Sequence, residues 1–105
     1  MTQKQVFDAL SASGIVPSYG LHVGEFASLP LLEYQFAYGD RFGADDIAWS
    51  RSSTWFARLY TSKKDPATEA DVEAAISAIA QWDKTESYLS DEDVFEIVYT
   101  FETLD

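Results

Sequence analysis

Apolar positions change their spacing along this chain, and each change marks an element. Val6, Phe7 and Leu10 recur at helical spacing behind Thr2-Gln3-Lys4-Gln5, whose S/T-x-x-E/Q form lets a hydroxyl and a glutamine satisfy free backbone N–H groups. Gly14 follows, and glycine takes the left-handed conformation that closes a helix at little cost. A first helix over about residues 3–12 is predicted. From Ile15 to Val23 a helix interior is forbidden by Pro17, while Tyr19, Leu21 and Val23 alternate with small or polar neighbours, so a short extended segment is expected. Gly24 to Pro30 reads as a loop.

Leu32, Tyr34, Phe36 and Tyr38 then fall on one face of a strand. Gly39 to Asp46 carries two glycines and three aspartates and reads as an exposed loop. Ile47 to Thr61 reads as one long strand. Trp55, Ala57 and Leu59 point one way, and Thr54, Phe56, Arg58 and Tyr60 point the other. Aromatic side chains on both faces imply that the second face is covered as well.

Asp65-Pro66 opens a second helix, with proline where its missing N–H costs nothing. Glu69, Asp71 and Glu73 suit the positive end of the helix dipole. Val72, Ala75, Ile76 and Ile79 form its buried stripe, and Ala74, Ser77 and Ala78 give a small shoulder for close approach to a sheet. After Trp82 a polar turn is expected, then a hairpin whose arms run from Thr85 to Leu89 and from Val94 to Phe101. Phe95, Ile97, Tyr99 and Phe101 face inward on its second arm. The order is α-β-β-β-α-β-β. A mainly antiparallel sheet with two helices on one face makes an α+β two-layer sandwich. No linker, repeat or low-complexity tract interrupts it, so residues 1–105 read as a single domain.

Composition narrows the functional classes. The chain has no cysteine, which removes disulfides, thiolate metal sites and cysteine nucleophiles. Eighteen acidic residues against seven basic ones give a net charge of -11, and that balance opposes binding to nucleic-acid phosphates. Hydrophobic residues at 47% of the total supply a core and argue against disorder. Neither an export signal nor an apolar run of bilayer length is present, so a cytosolic product without membrane contact is expected.

Candidate chemistry is sparse. His22 is the only histidine and cannot build a hydrolytic triad alone. Asp40, Asp45 and Asp46 could hold a hard cation, but their spacing lacks the alternating ligands and closing glutamate of an EF-hand loop. A solvated acidic loop is the favoured reading, and no metal or cofactor is assigned. Asp91-Glu92-Asp93 is turn chemistry between strands, without a second carboxylate cleft for acid–base work. Lys63-Lys64 lacks the glycines of a phosphate loop and reads as a strand end in water. The strands carry more aromatic rings than a single two-layer core absorbs, and surplus Trp, Tyr and Phe are typical of buried interface centres.

The run Leu59-Tyr60-Thr61-Ser62-Lys63-Lys64-Asp65, with Glu69, Val72 and Glu73, resembles the tail-completion or head–tail joining proteins of long-tailed bacteriophages and prophages. Three other pieces fit in the same order: Val6-Phe7-Asp8-Ala9-Leu10 leading to Tyr19-Gly20, Pro30 before an aromatic strand and Asp40-Arg41-Phe42-Gly43-Ala44-Asp45-Asp46, and Tyr88-Leu89 with Val94 to Tyr99. Together they cover most of the chain. The resemblance implies a non-enzymatic structural subunit of the virion neck, made in the host cytoplasm. It implies a homo-oligomeric ring, a hexamer, between the capsid connector or adaptor proteins and the major tail tube protein. Under this reading Trp55, Phe56, Arg58 and Tyr60 make oligomer contacts. Asp40, Phe42, Asp45 and Asp46 in one loop, and Asp91 and Asp93 in another, make ring-to-ring contacts. Two alternatives stay open: an acidic regulatory or immunity-type module that neutralises a basic partner, and a small enzyme acting through carboxylates in a deep pocket.

Overall fold

A computed structural model describes residues 1–20, 29–42 and 50–104, with residues 38–42, 50 and 51 described by backbone alone. The elements are α1 (Gln3–Ser11), β1 (Ser18–Tyr19), β2 (Leu31–Phe42), β3 (Ser50–Thr61), α2 (Pro66–Ser77), β4 (Trp82–Leu89) and β5 (Val94–Leu104). Their order matches the α+β expectation.

Both helices begin where local capping chemistry dictates. Thr2 Oγ1 accepts from the Gln5 backbone N–H at 3.2 Å, and Gln5 Oε1 accepts from the Thr2 N–H at 2.8 Å. Gly14 turns the chain away with φ +91°, a conformation that a side chain would strain. At α2 the Asp65 carboxylate accepts from the Thr68 N–H at 3.2 Å and from its hydroxyl at 2.7 Å, ahead of Pro66 in the first turn.

The five strands form one sheet in the order β1-β2-β3-β5-β4. Every junction is antiparallel except β1–β2, where Ser18 and Tyr19 run parallel to Glu33 and Tyr34. The expected extended segment over 15–23 thus contributes two paired residues. Leu21, His22 and Val23 lie outside the described residues.

Two elements exceed their sequence patterns. Gly39, Asp40, Arg41 and Phe42 continue β2, paired with Ser53, Ser52, Arg51 and Ser50. The loop expected over 39–46 is therefore strand as far as residue 42, and residues 43–46, with Asp45 and Asp46, lie outside the described residues. Glycine and aspartate are poor strand formers, but the ladder to β3 satisfies backbone groups that would otherwise need water. Tertiary pairing overrides propensity here. The register also shifts between Phe36 and Tyr38, a bulge at Ala37. Phe36 opposes Trp55 and Tyr38 opposes Thr54, so the one-face alternation expected for Phe36 and Tyr38 is broken.

β4 likewise starts at Trp82, where a polar turn was expected, with Asp83 opposite Thr100 and Lys84 opposite Tyr99. An edge strand needs a ladder on one side only and can leave most side chains in water. Residues 83–88 are exposed.

One core cluster joins both helices to one sheet face. Val6 and Leu10 of α1 and Val72 and Ile76 of α2 pack on Leu32, Tyr34, Trp55, Ala57, Leu59, Ile97, Tyr99 and Phe101. Each such side chain stabilises the fold by roughly 1.5–3 kcal/mol when fully buried. Phe95 is half-buried, its ring 5.0 Å from that of Tyr88.

Candidate interaction surface

The helical layer is shorter than the sheet it covers. α1 has nine residues and β2 twelve, or about 13 Å against about 40 Å. Beyond the helix no described element covers the apolar face of the sheet. Phe36 is 42% exposed there and Tyr19 51%, although the alternation predicts Phe36 among inward residues. Met1, Thr2, Gln5, Tyr19, Phe36 and Trp55 line an open groove of about 630 Å³. The Phe36 ring meets Trp55 edge-on at 5.4 Å, and Tyr19 meets Tyr34 edge-on at 5.2 Å. Leu104 is exposed nearby, its carbonyl accepting from the Met1 amino group at 3.2 Å. The described lining residues offer apolar, hydroxyl and amide contacts, with no carboxylate among them.

The opposite sheet face carries Phe56, Arg58 and Tyr60 together. Arg58 Nη1 donates to Gln35 Oε1 at 2.9 Å, and its guanidinium carbon lies 5.6 Å from the Phe56 ring centroid. Burial, and then a hydrogen bond with Glu96, raise the Tyr60 hydroxyl well above the usual phenol range. Thr54 and Glu33 are buried on this face too, in line with the expected shelter. Phe56 and Arg58 remain half-buried.

Two expected contact residues are buried within their own chain. Trp55 is 3% exposed, on the helix-covered face, and its indole N–H donates to Thr103 Oγ1 at 3.1 Å. Tyr60 is 5% exposed. A large ring whose polar tip finds a partner inside its own chain is a core residue. Phe56 and Arg58 keep part of their surface exposed.

Asp40, and Asp91 with Asp93, fall at two opposite ends of the sheet. Leu31 pairs with Tyr60, and Thr61 with Phe95, which places the 90–93 turn at the end where β2 starts. Asp40 and Phe42 sit at the other end, opposite Ser52 and Ser50. Asp91 and Asp93 are exposed in the turn. Asp93 adopts φ 57°, and its carboxylate accepts from the Tyr88 hydroxyl, which raises that phenol above its usual range.

A charge lattice behind β4 was not visible in the sequence. Glu69, suited on paper to the helix dipole, is 4% exposed and pairs with Lys64 at 2.8 Å and Lys84 at 3.4 Å. Glu73 takes Lys84 at 2.8 Å and the Tyr99 hydroxyl at 2.9 Å, and Lys64 also bridges to Glu86. Hydrogen bonds to Glu69 and Glu73 respectively raise the Lys64 and Lys84 ammonium groups above their usual range. Lys64, exposed beyond the end of β3 as expected, also links α2 to β4. Among the described residues no group of side chains suited to a metal ion comes together.

No family model matches the chain, and no curated protein matches it. Among solved structures, a chain of a structure described as "Virion of native gene transfer agent (GTA) particle" shares the fold. The match has a TM-score of 0.58 at 13% sequence identity, and covers 96% of this chain and 89% of that one. At that identity the likeness is one of fold, and it extends over nearly the whole of both chains.

Proposed function

We propose that this protein is a structural subunit of a phage or phage-like virion, joining the capsid connector to the tail tube as a homo-oligomeric ring. The observation that carries the reading is the fold likeness to a gene transfer agent virion chain over 96% of the molecule. The resemblance of the segment Leu59 to Asp65 and its companions to head–tail joining proteins supports a position in the neck. Contact residues at both ends of the sheet suit a subunit stacked between two layers. Asp40, Phe42, Asp45 and Asp46 would meet one neighbouring layer, and Asp91 and Asp93 the other. Phe56 and Arg58 would lie at contacts within the ring. A net charge of -11 would keep a DNA passage from adhering to phosphate.

The same charge supports a second reading, an acidic module that neutralises a basic partner. That reading requires a monomer alone and a one-to-one complex with the partner. Deletion of the gene in a producing strain separates the two. The neck reading expects DNA-filled heads and detached tails, restored by the gene in trans. Intact tailed particles from the deletion strain would overturn it.

A further inference from the structure

Among the described residues the sheet has two open edges, and they match. β4 is the last strand on one side, and its ladder to β5 runs without a register shift from Trp82 opposite Phe101 to Leu89 opposite Val94. It contains no proline. Its only lysine, Lys84, is turned toward α2 and held by Glu73 and Glu69. Proline and bulges are usual guards of an edge strand, and β4 has neither, its charges being limited to Asp83, Lys84 and Glu86.

On the other side β1 covers β2 only at Glu33 and Tyr34. From Gln35 to Phe42 the outer side of β2 pairs with no described strand. The two stretches without a described partner on their outer side, residues 35–42 and 82–89, are equal in length, about 26 Å each.

Direction and face agree as well. β2 and β5 run one way, and β3 and β4 the other. A second copy placed by a rotation that preserves strand direction brings its β4 antiparallel to β2, the commoner pairing. Phe36 lies on the helix-covered face with Trp55. Tyr88, opposite Phe95, lies on that same face with Ile97 two residues further along. Both rings are exposed, at 42% and 49%. In a continued sheet they meet on one side, as a cross-strand aromatic pair.

We infer that β4 of one copy pairs antiparallel with residues 35–42 of a second copy, seating Tyr88 beside Phe36 at the rim of the apolar groove. The contact is head-to-tail, so rotation can close it into a ring. The inference rests on the ring reading and names the surface by which its subunits join.

Cross-linking tests it in a chain that has no cysteine of its own. Phe36→Cys, Tyr88→Cys and the double variant are treated with a short bis-maleimide at concentrations where light scattering detects an oligomer. The double variant should give a ladder beyond the dimer. A mixture of the two single variants should give dimers, and each single variant alone should give none. Dimers from one single variant alone would mean a self-complementary contact and overturn the inference. An oligomer without the ladder would overturn the edge pairing and leave the ring standing, whereas a monomer at every concentration would overturn both. Hydrogen exchange on the unmodified chain gives a readout that needs no variant. Amides of residues 36–42 and 82–88 should slow by about an order of magnitude or more on assembly, and unchanged exchange there would overturn the pairing.

Discussion

Tyr99 of β5 and Glu73 of α2 are joined at 2.9 Å by a hydroxyl that donates to the same carboxylate oxygen holding Lys84. A phenol and an ammonium thus share one acceptor at the helix–sheet boundary. Burial first, and then the bond to Glu73, hold the Tyr99 proton far more tightly than in an ordinary phenol.

A pH dependence follows from that geometry. Tyr60, Tyr99, Lys64 and Lys84 all have raised proton affinity in the fold. Above their unfolded values, about 10 for tyrosine and 10.5 for lysine, the native state holds protons that the unfolded chain releases. Stability from these groups is therefore complete below about pH 10 and lost as pH rises further. The exposed lysines contribute the smaller, salt-screened share. Asp65 has the opposite sign: the Thr68 hydroxyl lowers its pKa, so its contribution is present above about pH 4 and lost as acid protonates it. Urea midpoints should hold level from about pH 7 to 9 and fall above about 10. Tyr99→Phe should cost about 1–2 kcal/mol at neutral pH and make the alkaline fall shallower. A midpoint that rises above pH 10 would contradict this assignment.

Trp55 and Phe56 are neighbours in sequence with opposite roles, and substitution should separate them. Trp55→Ala opens a cavity in the core and should cost about 3–5 kcal/mol. Phe56→Ala removes a half-buried ring and should cost about 1 kcal/mol, while lowering self-association measured by light scattering. Equal effects of the two on stability, with no effect on association, would remove Phe56 from the contact.

Local features were legible in the sequence, and distant ones were not. Both helix starts depend on residues within one turn, Thr2 with Gln5 and Asp65 with Thr68, and the inward sets on β3 and β5 follow a simple alternation. Gly39 to Phe42 and Trp82 to Lys84 are strands because hairpin partners, Ser50 to Ser53 and Tyr99 to Phe101, complete their ladders. The bulge at Ala37 shifts the register, and neighbouring residue types do not reveal it. Exposure of Phe36 and Tyr19 depends on how far a nine-residue helix reaches along a twelve-residue strand. Burial of Trp55 depends on Thr103, which offers its hydroxyl from β5. Alternation alone cannot choose which aromatic face is the core when both carry rings.

The groove wall depends on the first turn of α1. Thr2→Ala removes the hydroxyl that accepts from Gln5 and should cost about 1 kcal/mol. Far-UV circular dichroism at elevated temperature should show helix lost earlier than in the unmodified chain. An unchanged melting curve would show that packing of Val6 and Leu10 holds the helix without its cap.

Cryo-electron microscopy of purified particles from a producing strain asks most directly whether this chain is a neck subunit. A closed ring of copies is expected between the capsid connector and the first tail ring. In it the 90–93 turn and the 39–46 segment should face opposite neighbouring layers. Tailed particles that lack the chain, or that hold it away from the head–tail junction, would contradict the proposed function.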